Sequence, residues 1–360
     1  MKNMWPLTLL MLGVAGCGSS GSPGADDTFD TELVPPVSDA WAEVVVILDD
    51  HPIDDLALIV GDVSGEIFVY EKGNVAATDQ YATASASKWL TSATILTLVE
   101  QGALRLDDRP QRYLDFWTDD PLDIRSGITL AQLLSFTAGF HRSPADAGCI
   151  GQSTITLQGC VAEWYAIGVD ATPGTTYHYG PVPMQIAAAM AEVATGQPWA
   201  EIVRLSIGVP LGLASTEFVG INPRASGAAL SSARDYARFL QAHLTGELIA
   251  GTLTELTRER TTGVTISSEP AAISQNQIDW QYGLGVWREC DRTSWDATCA
   301  GRTVVSSPGA FGWYPWLDLD NGYYAVLAME ETPTLLSSPS AESVQLGLAL
   351  QPLILEVIRD

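Results

Sequence analysis

Apolar residues change their spacing several times along the chain, and each change marks a different kind of element. LALIVGD (56–62) and GEIFVYEKG (65–73) are β-rich runs on either side of Val63-Ser64-Gly65, which predicts a hairpin. Before them, SDAWAEVVVILDD (38–50) has a helical pattern opened by a Ser/Asp capping pair. After them, SASKWLTSATILTLVE (85–100) is apolar and rich in Ala and Leu, the composition of a buried helix, and Gln101-Gly102 closes it. Residues 103 to about 225 carry short helical patterns broken by Pro, Gly and Asp, with no run of strands. SSARDYARFLQAHL (231–244) then predicts another capped helix. YGLGVWREC (282–290), RTVVSS (302–307), GWYPWLDLD (312–320) and GYYAVLAME (322–330) predict successive strands, with Asp320-Asn321-Gly322 turning between the last two. SAESVQLGLALQPLILEVI (340–358) supplies a final amphipathic helix.

Early strands, a helical middle and late strands predict an α/β (α+β) fold. One antiparallel sheet is built from both termini and flanked by helices, with an inserted all-α lobe. The α/β part is expected over about 38–102 and 226–360, and the lobe over about 103–225. A chain of 360 residues with 46% hydrophobic positions can bury a large core, which excludes a disordered or fibrous protein. Its formal charge of −25 argues against nucleic acid as a partner, because a net-acidic surface repels phosphates. The 18 basic residues divide into 15 arginines and three lysines, Lys2, Lys72 and Lys88, so chemistry that needs an amine has few places to sit.

The first 16 residues have a basic start, an apolar run too short to span a bilayer and a small-residue exit, which predicts a signal peptide. V-A-G-C (14–17) resembles the lipobox of bacterial lipoproteins. That resemblance implies that Cys17 is lipidated and that residues 17–37 are a flexible tether ahead of a domain over 38–360. The implied location is the bacterial cell envelope, with Gly18 favouring the outer membrane. Four cysteines then remain, falling as Cys149 with Cys160 and Cys290 with Cys299. In an exported chain they suggest two short-loop disulfides, although four cysteines allow three connectivities. A zinc site is the competing reading, but there is no C-x-x-C and no nearby histidine set.

The body has no G-x-S-x-G elbow, no H-E-x-x-H and no phosphate-binding G-x-x-x-x-G-K-[ST]. His51, His141, His178 and His243 are scattered, and the acids of DDHPIDD (49–55) do not follow a calcium loop. Ser85-Ala86-Ser87-Lys88 stands out, because positions i and i+3 share a helix face. A serine hydroxyl becomes a nucleophile when a base takes its proton, and a lysine buried among Trp89, Leu90 and Ile95 has its basicity lowered enough to do so. Arginine could not serve, since its guanidinium does not give up a proton. Lys72, in an EKGN turn, is expected to be exposed.

From about residue 40 to 355 the chain resembles the serine β-lactamase-like family, in the branch that holds class C β-lactamases, D,D-peptidase relatives and family VIII carboxylesterases. LVEQGALRLDDRPQRYL (98–114), ITLAQLLSFTAGF (128–140), PGTTYHYG (173–180) and NPRASGAALSSARDYARFL (222–240) are similar, in order, to segments of that family. The resemblance implies Ser85 as the acylated nucleophile and Lys88 as its base. Tyr179 is implied as a phenolate that returns the proton to the leaving group. Ser307-Pro308-Gly309 is implied as the third motif, with the Ala310 and Ser85 amides as the oxyanion hole.

Two departures bear on substrate. Pro181 replaces the family's Y-x-N asparagine, and Ser307-Pro308 replace its Lys/His-Thr pair, which removes a grip on a substrate carboxylate. The expected activity is therefore hydrolysis of esters with neutral acyl groups. A peptidase, an amidase or a weak β-lactamase is the alternative within enzymes, and an idle cell-envelope binding protein the alternative outside them. Arg302 is a candidate pocket cation, and Phe311, Trp313, Tyr314 and Trp316 are candidate pocket walls. No cofactor or metal is expected, and the partners expected are a small ester or amide substrate and a membrane through the lipid anchor, with the chain a monomer.

Overall fold

The structure, a computed structural model, describes residues 39–141, 148–290 and 294–359. The expected signal peptide, the expected lipidation site Cys17 and the expected tether lie outside the described residues. Strands β1 (Leu56–Asp62) and β2 (Gly65–Lys72) form the predicted hairpin. Strand β3 (Tyr81–Ala82) leads into the Ser87–Glu100 helix, and β4 (Thr176–His178) lies within the helical region. β5 (Leu230–Ser231) pairs with β3, and β6 (Thr265–Ser268) pairs in parallel with β4. The exposed TISS sequence of β6 has no apolar alternation, so no strand is predicted there. Last come β7 (Gln281–Tyr282), β8 (Trp287–Arg288), β9 (Val304–Ser306), β10 (Tyr314–Asp318) and β11 (Tyr323–Ala328).

The main sheet has seven strands in the order β2-β1-β11-β10-β9-β8-β7, and all its pairings are antiparallel. The hairpin from the start of the chain joins the late strands through β1 and β11, so the sheet is built from both termini. Strands β10 and β11 are buried along their whole length because both faces are covered. The Ala233–Leu244 helix packs on β1, β10 and β11, while the Pro339–Arg359 helix packs on β10. Successive β10 side chains divide between these layers. Tyr314 and Trp316 meet the C-terminal helix at Gly347, whereas the neighbouring Trp313 meets Tyr236 of the other helix.

Three local expectations change. The Ala42–Asp50 helix is entered through a 3-10 turn, Asp39–Trp41, with Trp41 at the cap position and no side-chain cap. Trp41 stacks on Phe68 with ring centroids 4.3 Å apart, so burial of the indole helps fix this end, while Ser38 of the expected capping pair lies outside the described residues. Lys72 is half-buried, and its ammonium donates to the carbonyls of Leu48 (3.1 Å), Asp49 (3.1 Å) and His51 (2.8 Å), closing that helix. The run 282–290 is two strands, because Gly285 adopts φ +77° between them. Its amide donates to the Leu134 carbonyl (3.1 Å), and a Cβ there would collide with the Lys88 carbonyl and the Ser92 hydroxyl. The Ser87–Glu100 helix can sit this close only to a glycine.

The two disulfides are Cys149–Cys160 and Cys290–Cys299, the local pairing among the three possible. The acids of DDHPIDD serve local structure: Asp49 accepts from the Tyr70 hydroxyl, and Asp55 accepts from the Asn74 amide at 2.6 Å.

Gly285→Ala combines a left-handed backbone with a clash against the buried helix, and is expected to destabilise the protein by about 3 kcal/mol. Urea denaturation checks this, and a loss below about 0.5 kcal/mol would show that the bend is not a required contact.

Candidate active site

Ser85 stands at a corner between β3 and the buried helix. Ala84 takes φ +46°, a left-handed conformation uncommon outside glycine, and the chain then enters a 3-10 turn, Ala84–Ala86, that runs into Ser87–Glu100. Buried polar contacts hold the corner. The Ser87 hydroxyl donates to the Ala84 carbonyl (2.6 Å), accepts from the Ala229 amide (2.9 Å) and lies 3.0 Å from the Thr83 hydroxyl. Thr83 in turn donates to the Ala229 carbonyl from both its amide and its hydroxyl, each at 3.0 Å. The second serine of S-A-S-K is thus structural, while Ser85 is half-buried and faces a cavity.

Lys88 is 3% exposed, and its Nζ donates to Ser85 Oγ (3.0 Å) and to the Ser226 carbonyl (2.7 Å). Burial first, and then the nearby charge of Arg224, pull the ammonium down from its ordinary 10.5 to about 7. Tyr179 is buried, with its ring centroid 4.5 Å from Lys88 Nζ, and Ser85 is the polar side chain that acts on its hydroxyl. Burial raises the phenol well above its usual value, with the Ser85 side chain opposing the shift.

The segment that presents the Ser226 carbonyl is clamped from both sides. Gln185 Nε2 donates to Asn222 Oδ1 (2.8 Å) and to the Pro223 carbonyl (2.9 Å), and its Oε1 accepts from the Ala225 amide (3.1 Å). From the helix, Thr91 Oγ1 donates to the Ala225 carbonyl at 2.6 Å. On the opposite wall the Ser307 hydroxyl donates to the Ser85 carbonyl (3.1 Å) and so turns away from the cavity. Gly309 donates its amide to the Trp313 carbonyl (2.7 Å), and a Cβ there would collide with the Thr83 carbonyl. Ala310 is exposed and lines the cavity next to Pro308 and Phe311.

This cavity has a volume of about 350 Å³, and Ser85, Lys88 and Tyr179 all line it. Much of its wall is apolar, from Ala84, Pro181, Pro270, Pro308 and Phe311. Sequence reasoning missed two of its charged residues. Arg224 is half-buried there and forms no salt bridge among the described residues. Glu269 lines the cavity too, its carboxyl raised by burial and then by the charge of Asp279. Arg224 falls inside the segment NPRASGAALSS, so its position was available, but nothing in the sequence says which way it faces.

Other candidates lie elsewhere. Arg302 lines a separate cleft with Cys290 and Gln351 instead of the Ser85 cavity. Of the four proposed aromatic walls only Phe311 lines the cavity, because Trp313, Tyr314 and Trp316 are fully buried. None of the histidines lines it. His243 accepts from Trp89 Nε1 (3.1 Å), and burial pulls it down to about 3, so it is a neutral core group. His141 and His178 stack with centroids 4.8 Å apart, and His178 Nδ1 lies 3.0 Å from the Ser267 hydroxyl.

Known proteins resemble this chain to different degrees. A 137-residue stretch is 30% identical to penicillin-binding protein 4 of Amycolatopsis lactamdurans, covering 37% of this chain and 34% of that one. The chain thus spans about a third of the length of this curated relative. A putative β-lactamase structure from Bacteroides dorei superposes with a TM-score of 0.73 at 24% identity, covering 89% of this chain and 98% of that one. EstCE1, a hydrolase with promiscuous acyltransferase activity, superposes with a TM-score of 0.67 at 16% identity, covering 89% and 97%. Residues 42–346, which include the Ser85 corner, Tyr179 just after β4 and the Ala310 turn, match the Beta-lactamase family, and the chain belongs to that family of serine hydrolases.

Proposed function

We propose that this protein hydrolyses esters of neutral, largely apolar acyl groups through an acyl-enzyme on Ser85. The observation that carries the reading is an amine with a pKa of about 7 held 3.0 Å from the Ser85 hydroxyl inside an apolar-walled cavity. Neutral Lys88 takes the Ser85 proton as Oγ adds to the acyl carbonyl carbon. The oxyanion that forms is stabilised by the Ser85 and Ala310 amides. Tyr179, whose burial keeps it a phenol rather than the expected phenolate, gives its proton to the departing alkoxide and recovers one from the Lys88 ammonium. Water then attacks the acyl carbon as Lys88 takes its proton, and the proton returns to Ser85 Oγ as the C–O bond breaks.

Two features support an ester over an amide or a β-lactam. Pro181 has no side-chain amide to orient a substrate amide, and Ser307 spends its hydroxyl on the Ser85 carbonyl. The structural likeness to EstCE1 agrees with such a reading. One observation favours a second reading, a peptidase or amidase: Arg224 places a guanidinium in the cavity that a substrate carboxylate could engage. We further propose that the chain is exported, lipidated at Cys17 and monomeric, acting at the envelope membrane. The two disulfides fit an oxidising compartment.

With p-nitrophenyl butyrate as substrate, Ser85→Ala is expected to lower kcat/KM by about a thousandfold or more. Intact mass after fluorophosphonate treatment should show one adduct on the parent chain and none on the variant. Turnover of a chromogenic cephalosporin in preference to the ester would favour the second reading, and an active Ser85→Ala would remove the nucleophile assignment.

The rate should rise with pH through an apparent pKa of about 7, because Lys88 must lose its proton to act. Lys88→Arg should abolish activity as completely as Lys88→Ala, since a guanidinium stays protonated. A pH-independent rate between pH ~5 and ~9, or an active arginine variant, would exclude the proton transfer.

Arg224→Gln removes a positive charge beside Lys88, which stabilises the ammonium and moves the same limb to higher pH. The direction is read from kcat/KM against pH, and a limb moving to lower pH would contradict the electrostatic coupling.

A further inference from the structure

Between β11 and the Pro339–Arg359 helix the chain makes a tight turn, Thr334-Leu335-Leu336-Ser337. The Thr334 amide donates to the Ser337 carbonyl (3.1 Å), and Thr334 Oγ1 accepts from the amides of Leu336 (3.2 Å) and Ser337 (3.0 Å). The Thr334 and Ser337 hydroxyls are 2.9 Å apart, which closes the turn a fourth time. A turn fixed by so many local bonds presents its side chains in a set direction. Here it presents Leu335 and Leu336 at 104% and 99% exposure, the two most exposed large apolar side chains among the described residues.

A single exposed leucine is ordinary, but this adjacent pair sits in a turn whose two flanking residues line the Ser85 cavity. Pro333 and Ser338, which flank the turn, both line that cavity, as does Ser340. The Glu331 amide donates to the Phe311 carbonyl (3.0 Å), so the stem of the turn is tied to the segment that carries Ala310.

We propose that Leu335 and Leu336 extend the catalytic cavity and hold the alkyl chain of an ester substrate, so that the substrate class is neutral esters with medium or long chains. This rests on the hydrolase reading above and names its substrate. A cavity of about 350 Å³ is near the small end for ligand sites, so a long alkyl chain continues past its mouth. There it meets the leucines, and both chain and leucines lose water-exposed apolar surface. Glu330 and Glu331 lie at the stem of the turn, within a chain of formal charge −25, and disfavour an anionic bilayer or an anionic chain end as the occupant.

The test compares p-nitrophenyl acetate and p-nitrophenyl octanoate on the parent chain and on Leu335→Ser/Leu336→Ser, with octanoate kept below micelle formation. Leu122→Ser, at a 90% exposed site outside the cavity lining, serves as the control. The double variant is expected to lose about tenfold in kcat/KM on octanoate and less than about twofold on acetate, with the control unchanged on both. Equal losses on the two esters, or no loss on octanoate, would overturn the proposal. Binding of decanol, followed by tryptophan fluorescence on the same proteins, reads the leucines without any turnover and should weaken about tenfold in the double variant. Unchanged decanol affinity overturns this inference while leaving the hydrolase reading intact. A parent chain that binds decanol through the leucines yet cleaves neither ester supports the apolar subsite and removes the hydrolase reading.

Discussion

A lysine amine buried beside a serine hydroxyl is the constraint around which this molecule is arranged. An ammonium removed from water is unfavourable unless it is paired, and no carboxylate among the described residues pairs with Lys88. Its pKa falls to about 7 instead, so near neutral pH the amine spends much of its time uncharged. Stability is affected in a defined direction. Between about pH 7 and pH 10.5 the unfolded chain binds a proton at this lysine that the folded chain does not, so its contribution to stability grows as pH rises through that window. The site accepts a destabilising group in the neutral range, which suits a functional position better than a structural one.

Keeping the amine in place requires several elements at once. Lys88 reaches forward to Ser85 in its own turn and across to the Ser226 carbonyl. That carbonyl is fixed because Gln185 and Thr91 hold the preceding residues from two different helices. The left-handed Ala84 and the hydroxyls of Thr83 and Ser87 then aim Ser85 at the cavity instead of continuing an ordinary helix start. A non-glycine residue with positive φ stores strain, and the hydrogen bonds around it over-determine the conformation. The Gly285 bend completes the support by letting the sheet edge touch the back of the helix at Lys88 and Ser92.

Much of this was legible from residue order, for physical reasons that differ between parts. The hairpin, the buried helix and the late strands follow from apolar spacing and turn residues, which act locally. Ser85 and Lys88 follow from i, i+3 geometry together with the scarcity of lysine. Tyr179, more than 90 positions away in the chain, has no local signal and entered only through likeness to a family. The left-handed Ala84, the inward Arg224 and the burial of Trp313, Tyr314 and Trp316 depend on which elements pack together. Strand β10 illustrates the limit: a sheet covered on both faces buries every residue, so alternation could not separate pocket wall from core.

The charge pattern of the cavity follows from the same lysine. In a chain with 43 acids, an arginine with no salt bridge among the described residues needs a physical reason for its position. A carboxylate bonded to Arg224 would cancel its field at Lys88 and let the amine hold its proton more tightly. Glu269 lines the same cavity, but burial raises its carboxyl toward the neutral form, which weakens it as a counter-charge. The unpaired guanidinium therefore acts in the same direction as burial, and together they place the Lys88 proton equilibrium near neutrality. With the Ser307 hydroxyl turned away and Pro308 offering no donor, the third-motif wall supplies shape more than charge. The leucine turn flanks the same cavity, so the groups that set the Lys88 proton equilibrium and the apolar pair proposed to receive substrate come from different parts of the chain.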